Sequence, residues 1–213
     1  MGSEKVQSGP LEFDIPAREA QVVGERQRIM PLDQGALTEE TRKLSAAIRG
    51  TFGIAENGPM VPETFATMGK HPGAFRCQLE MGMELIGRGV LPPRERELAI
   101  LRVGWLCRAP FEWGEHVNFA RRCGVSAEEI ERVTHGSSAQ GWNAHERAVL
   151  RAVEELLGDQ SISDETWAVL AKSWTERQLM ELPVLVGHYF ATALLHHSLR
   201  ISLLDSNPGL RHR

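Results

Sequence analysis

The sequence predicts an all-α protein of about eight helices. Three observations predict it. Apolar residues recur at three- and four-residue steps through most of the chain after residue 36. No segment alternates apolar and polar residues over a useful length, as a half-buried strand would. Helix-start signals, such as Ser126 with Glu129 and Thr175 with Gln178, stand where the periodic segments begin.

In chain order, residues 1–35 carry no steady period and are punctuated by Pro10, Pro16 and Pro31. They read as an extended arm, either mobile or wrapped around a neighbouring subunit. A single helical domain follows over 36–205, with a short tail at 206–213. Its first helix runs from Thr38 to Ile48 with Leu37, Leu44, Ala47 and Ile48 facing inward. A Gly- and Pro-rich loop leads to a short helix from Pro62 to Met68. Pro72 to Gly87 is helical, with Phe75, Leu79, Met83 and Ile86 on one face. Pro93 to Leu106 places Leu98, Leu101 and Trp105 on one stripe, broadened by Ile100 and Val103. After a break at Arg108–Pro110, a helix from Phe111 to Cys123 closes at Gly124. Ser126 caps a short helix. Asn143 to Gly158 is a clean repeat, and Ser163 caps a helix reaching Lys172. The last helix opens at Thr175, and Pro183 is expected to break or kink it.

The 213 residues suit one domain with a substantial core. Against 28 acidic residues stand 24 basic ones, which gives no footprint for nucleic acid. Three cysteines, none spaced as Cys-x-x-Cys, and no signal-peptide pattern suggest reduced thiols in a cytoplasmic protein. The uncharged run from Leu182 to Leu199 contains Pro183, Gly187 and three histidines. It reads as a core or interface helix, and no membrane partner is expected.

Glu112 and His116 are the chief chemical candidates. Four residues apart on a helix, they share a face, and carboxylate with imidazole is a proton-moving combination near neutral pH. The plain alternative is a surface ion pair. Cys107 lies ahead of the break, where Arg108 or His116 would be needed to activate it, and its plain alternative is a small buried hydrophobe. His188, Tyr189, His196 and His197 cluster on the last helix. They lack a metal-binding box, so no metal is expected. Arg94, Arg96, Arg102, Arg108, Arg121 and Arg122 flank the candidate pair. One of them, Arg102 or Arg108, would hold a substrate carboxylate if it faced a pocket, with Trp105, Trp113 and His188 as further substrate contacts. There is no phosphate loop, nucleophile elbow or dinucleotide fingerprint.

The stretch from Pro93 through Glu97, Glu112 and His116 to Gly124 resembles the carboxymuconolactone decarboxylase family, related to the AhpD-type alkyl hydroperoxidases. The resemblance is clearest over 93–134 and extends over most of the chain after the arm. It implies an AhpD-like helical bundle, a homo-oligomer (dimer, trimer or hexamer) and a small-molecule substrate. In the peroxidase branch a glutamate, a Cys-x-x-Cys and a histidine act together. Aligned on His116, Glu97 falls on that glutamate and the two thiol positions fall on Ala109 and Glu112. The dithiol is absent, and Cys107 lies two positions ahead of the first slot. The resemblance therefore implies the decarboxylase-type branch, with no cofactor: a lyase acting on a small cyclic carboxylic acid or lactone. His116 would donate the proton, with Glu112 and Glu97 beside it. The alternatives are a thiol-dependent hydroperoxidase using Cys107 and a non-enzymatic oligomer that binds a hydrophobic ligand.

Overall fold

A computed structural model describes residues 12–52 and 62–213. Among them are ten α-helices, three short 3-10 turns and no strand. The helices are α1 (Ile15–Val22), α2 (Glu39–Phe52), α3 (Glu63–Met68), α4 (Pro72–Gly87), α5 (Pro93–Leu106), α6 (Pro110–Arg122), α7 (Ala127–His135), α8 (Ala144–Asp159), α9 (Asp164–Leu170) and α10 (Glu176–Leu199). The all-α expectation holds. The loop expected over 50–62 gives way to helix as far as Phe52, and its remainder lies outside the described residues.

α5 is the axle of the bundle. It packs against α6, α7, α8 and α10, and every residue from Arg96 to Trp105 is buried. Its apolar side chains serve two cores. Leu98, Leu101 and Trp105 join Trp113 and Val117 of α6, Ile130 and Val133 of α7, and Leu150 of α8. Ile100 and Val103, which the periodicity reads as the margin of the same stripe, instead enter a second core with α8, α10 and the end of α4. Because α5 is buried on all sides, its apolar residues face two cores, and only the packing divides them. A third cluster joins Ile48, Met68, Phe75 and Leu79 across α2, α3 and α4.

The capping boxes at Ser126 and Thr175 form as the sequence predicts, and Asn143 with Glu146 makes another. Arg94 ties two of them together. It donates to Glu129 Oε2 at 3.1 Å and to Glu146 Oε1 at 3.0 Å, so the starts of α7 and α8 are pinned to the start of α5. Gly124 adopts φ +81°, the left-handed conformation expected of a residue just past a helix end.

Two expectations are corrected, and the tail finds a place. Within the arm, residues 15–22 form a helix, capped by Asp14 and opened by a proline in its first turn. This helix packs on its own chain: Arg18 donates to the Cys107 and Arg108 carbonyls, each at 3.2 Å, and Phe13 lies against Trp105. Pro183 neither ends nor splits α10, which runs unbroken for 24 residues. Leu179, Leu182, Leu185, Val186 and Tyr189 are buried on both sides of the proline, so packing holds the helix across the one missing hydrogen bond. The 206–213 segment is docked on α6: Asn207 donates to the Phe111 carbonyl at 3.0 Å, Trp113 donates to the His212 carbonyl at 2.9 Å, and Leu210 is fully buried. Gly114 permits this approach, because a Cβ there would collide with the Asn207 side chain. α10 is by length and composition apolar enough to cross a membrane, and it packs here against α4, α5, α6 and α8.

Arg102 and Glu154 form the central ion pair, with both side chains buried. Arg102 Nε lies 2.9 Å from Glu154 Oε1, and its Nη1 donates to the Val133 and Thr134 carbonyls at 3.0 Å each. Ser137 closes the cluster with its amide on Oε1 and its hydroxyl on Oε2. Removing one member strands the other in the core. Arg102→Met is therefore expected to cost about 3–5 kcal/mol in urea denaturation, whereas Arg102→Met with Glu154→Leu recovers most of that loss.

Candidate active site

The interface of α5, α6 and α10 gathers the candidate groups. Where α5 meets α6, Gly104 faces the backbone of Trp113, and a Cβ there would make ordinary contact at 3.5 Å. The turn between them places Arg108 at φ +52° and swings α6 back along α5. Glu97 of α5 then meets His116 of α6.

Glu97 is wholly buried and bound on both oxygens. His116 Nδ1 lies 2.8 Å from Oε2, and Arg96 donates to Oε1 from Nε at 3.0 Å. Arg96 is itself fixed by the Ile86 carbonyl at 3.2 Å. A carboxylate paired with a guanidinium can only accept at its second oxygen, so Nδ1 of His116 donates and Nε2 is left to exchange protons. Tyr189 of α10 stands edge-on to the imidazole with ring centroids 4.8 Å apart, and His188 stands edge-on to Tyr189 at 5.2 Å. Burial, reinforced by the charge of Glu97, holds the Tyr189 hydroxyl well above its ordinary range and so keeps it a proton donor.

The Glu112–His116 couple expected from their spacing does not form. Glu112 turns to α10 instead, with His196 Nδ1 2.7 Å from its Oε1. The contact is close without being an aligned hydrogen bond, since neither Glu112 oxygen meets a donor in good geometry. Magnitude explains the exchange of partners. A helical i,i+4 pair stabilises by about 0.2–0.5 kcal/mol, whereas a buried charge left without its tertiary partner costs about 3–5 kcal/mol. Burial pushes the Glu112 carboxyl up, but the attraction of His196, with lesser help from the Glu112 backbone and His197, outweighs this, and the group lies below its usual range. Phe111 packs edge-on against His196 at 4.5 Å.

The structure therefore brings Glu97, His116, His188 and Tyr189 together, and sets Glu112 with His196 farther along the same helices. Cys107 borders the second group. Burial, then the charge of Glu112, pushes its thiol up to about 12, so it is held protonated and a weak nucleophile. Arg102, expected to hold a substrate carboxylate, is committed to Glu154. Arg108 stacks on the Phe13 ring at 5.1 Å. Trp105 and Trp113, expected at the substrate, are core residues, centroids 5.0 Å apart, covered by Phe13 and by Arg213 of the docked tail. On α6 they follow from the periodicity: Trp113, Val117 and Ala120 take the core face, and Glu112 and His116 the adjacent one. Sequence reasoning did not assign His196 to Glu112 or Arg18 to this region. Arg18 reaches His197 Nδ1 at 3.3 Å from an arm with no periodic signal. Among the described residues no group of three or more His, Cys, Asp or Glu side chains is placed to hold a metal ion.

Residues 72–155, which span the Glu97–His116 pair, match the carboxymuconolactone decarboxylase family. Beyond the segment, the chain shares the AhpD-like all-helical fold. It is similar to the debrominase Bmp8 in complex with 2,3,4-tribromopyrrole (TM-score 0.68, 14% identity, covering 86% of this chain and 95% of that one). It is also similar to the alkylhydroperoxidase AhpD core of an uncharacterized peroxidase-related protein from Ralstonia eutropha (TM-score 0.69, 16% identity, 84% and 95% covered). An uncharacterized peroxidase-related protein from Silicibacter sp. is alike to the same degree (TM-score 0.69, 16% identity, 86% and 96% covered). At such identities the likeness establishes the fold. No curated protein matches the chain.

Two measurements test the electrostatics of the α5–α6 region and its α10 wall. Exposed Cys77 is expected to react with a thiol reagent in the native protein, while Cys107 stays unlabelled until the chain unfolds. His188 is pushed down to about 4 by burial and then by His116, and His197 to about 4 by burial against the attraction of Glu112. The unfolded chain takes up these two protons near its ordinary value of 6.5, before the folded protein does. Their contribution to stability is thus complete above that value and lost as the pH falls toward 4. Urea denaturation at about pH 7 and about pH 5 should show the loss, and His188→Gln with His197→Gln should diminish it.

Proposed function

We propose that this chain is a cofactor-independent acid–base enzyme of the lyase type, acting on a small cyclic carboxylic acid or lactone. The observation that carries the reading is the buried Glu97–His116 hydrogen bond of 2.8 Å, with Arg96 on the second carboxylate oxygen. It fixes one ring nitrogen as donor to the protein and leaves the other for the substrate. Loss of carbon dioxide from a carboxylated lactone leaves an enolate-like anion that must be protonated at carbon. His116 takes up a proton at Nε2 from solvent, passes it to that carbon and is left neutral with Nδ1 still donating to Glu97, and the Tyr189 hydroxyl is the neighbouring donor for the developing charge. Glu97 acts as a positioning residue. Glu112, paired with His196, adds a second carboxylate–imidazole couple at the slot where the peroxidase branch would carry a thiol.

The thiol-dependent alternative has the names of the peroxidase-related neighbours in its favour. Against it stand the missing dithiol and a Cys107 thiol pushed up to about 12. The debrominase neighbour binds a small ring, which fits a cyclic substrate for this fold. A homo-oligomer is also proposed, supported by the outward face of α10, where Met180, Val184 and Leu194 are exposed.

The purified protein is to be assayed on carboxymuconolactone and related lactones, following carbon dioxide release. His116→Ala should lower kcat by about 100- to 10,000-fold, the usual range for a positioned acid–base group. Glu97→Gln should lower kcat with little change in KM. Full turnover by His116→Ala would remove this site from the reaction.

A further inference from the structure

Away from the α5–α6–α10 site, a second relay of side chains lies where three helices begin. Glu95 stands in the first turn of α5, His145 in the first turn of α8, and Ser173 in the turn between α9 and α10. His145 Nε2 is 3.2 Å from Glu95 Oε2, and Ser173 Oγ is 3.1 Å from His145 Nδ1. The Trp174 indole donates to the same Glu95 oxygen at 2.8 Å and packs edge-on against the imidazole, with centroids 5.2 Å apart. We propose that Ser173, His145 and Glu95 form a second, solvent-facing acyl-transfer site for small, unhindered esters.

The hydrogen-bond directions follow from what each atom can do. A carboxylate accepts and does not donate, so the proton of this imidazole sits on Nε2. Nδ1 is then bare, and the bond to Ser173 is one in which the hydroxyl donates. That is the tautomer a general base needs, with the base oriented by a third group. Trp174 fixes both the carboxylate and the ring plane, so the relay is held from two sides. His145 and Glu95 are each about one-quarter exposed, and Ser173 is exposed, which leaves its oxygen open to solvent.

The step balances without a co-reactant other than water. Ser173 Oγ bonds to the ester carbonyl carbon while its proton passes to His145 Nδ1. The tetrahedral intermediate collapses, the carbon–alkoxy bond breaks, and the leaving alcohol takes that proton. Water then attacks the acyl-serine by the same route, releasing the carboxylic acid and restoring the hydroxyl. α10 begins three residues after Ser173, and the first-turn amides of Glu176 and Arg177 have no intrahelical acceptor. With the Ser173 and Trp174 amides bonded to the Leu170 carbonyl and the Thr175 amide to Gln178, they are the nearest free backbone donors along the chain for the oxyanion. Ser173 is the nucleophile, His145 the base and Glu95 a positioning residue. None of them takes part in the Glu97–His116 chemistry, so either proposal can fail alone.

The full-length protein is to be treated with a fluorophosphonate probe and mapped by mass spectrometry, and separately assayed on p-nitrophenyl acetate. The expected result is an adduct on Ser173 that is absent from Ser173→Ala. Nitrophenol release should fall about 100-fold in Ser173→Ala and in His145→Gln, as expected for losing a nucleophile or its base. Glu95→Gln should lower kcat with KM unchanged, which a merely architectural contact would not do. Because Ser173 is exposed, its alanine variant should melt at the wild-type temperature, so a lost signal there is not a lost fold. An adduct that forms elsewhere or not at all, or hydrolysis by Ser173→Ala at the wild-type rate, overturns the proposal and leaves the relay as a tie between helix ends.

Discussion

The structure depends on the need to pair the charges that α5 carries into the core. Glu97 and Arg102 have no exposure, and Arg96 is nearly as deep. None of the three is tolerable there alone, because an unpaired buried charge costs several kcal/mol. Each pairing selects a neighbour. Arg102 fixes α8 through Glu154 and the end of α7 through two carbonyls. Glu97 fixes α6 through His116. The architecture around α5 and the geometry of the candidate site are thus consequences of one constraint.

That constraint also decides which groups are free for chemistry. An arginine spent on Glu154 cannot also hold a substrate, and a carboxylate shared between Arg96 and His116 serves to orient rather than to react. What remains is the imidazole, together with the side chains that α10 brings over it. α10 contributes Tyr189 beside His116 and, two turns on, His196 beside Glu112. One helix face on α6 and one on α10 therefore meet twice, giving two carboxylate–imidazole couples in series. The thiol nearby is kept protonated by the same burial that gives these couples their strength.

The chain ends reinforce the arrangement. α1 lays Arg18 on the exposed carbonyls at the end of α5, a favourable place for a cation, and the docked tail covers the tryptophan pair. Residues that look peripheral by position in the sequence are thus structural walls of the central region.

The sequence by itself determined the all-helical class, most helix boundaries, the capping boxes and the importance of residues 93–124, because these rest on short-range rules of period, capping and spacing. It also singled out Glu97, Glu112 and His116, and grouped His188, Tyr189, His196 and His197 on one helix. Only the tertiary structure decided who pairs with whom. Local spacing joins Glu112 to His116, but the tertiary contacts assign His116 to Glu97 and Glu112 to His196, since buried pairs outweigh a pair along one helix. The same holds for Arg102, whose partner lies 52 residues away, and for Trp105 and Trp113, whose cover comes from the two ends of the chain. Periodicity tells which face of a helix is inward, but not which neighbour waits there, because that is fixed by contacts between residues far apart in the sequence.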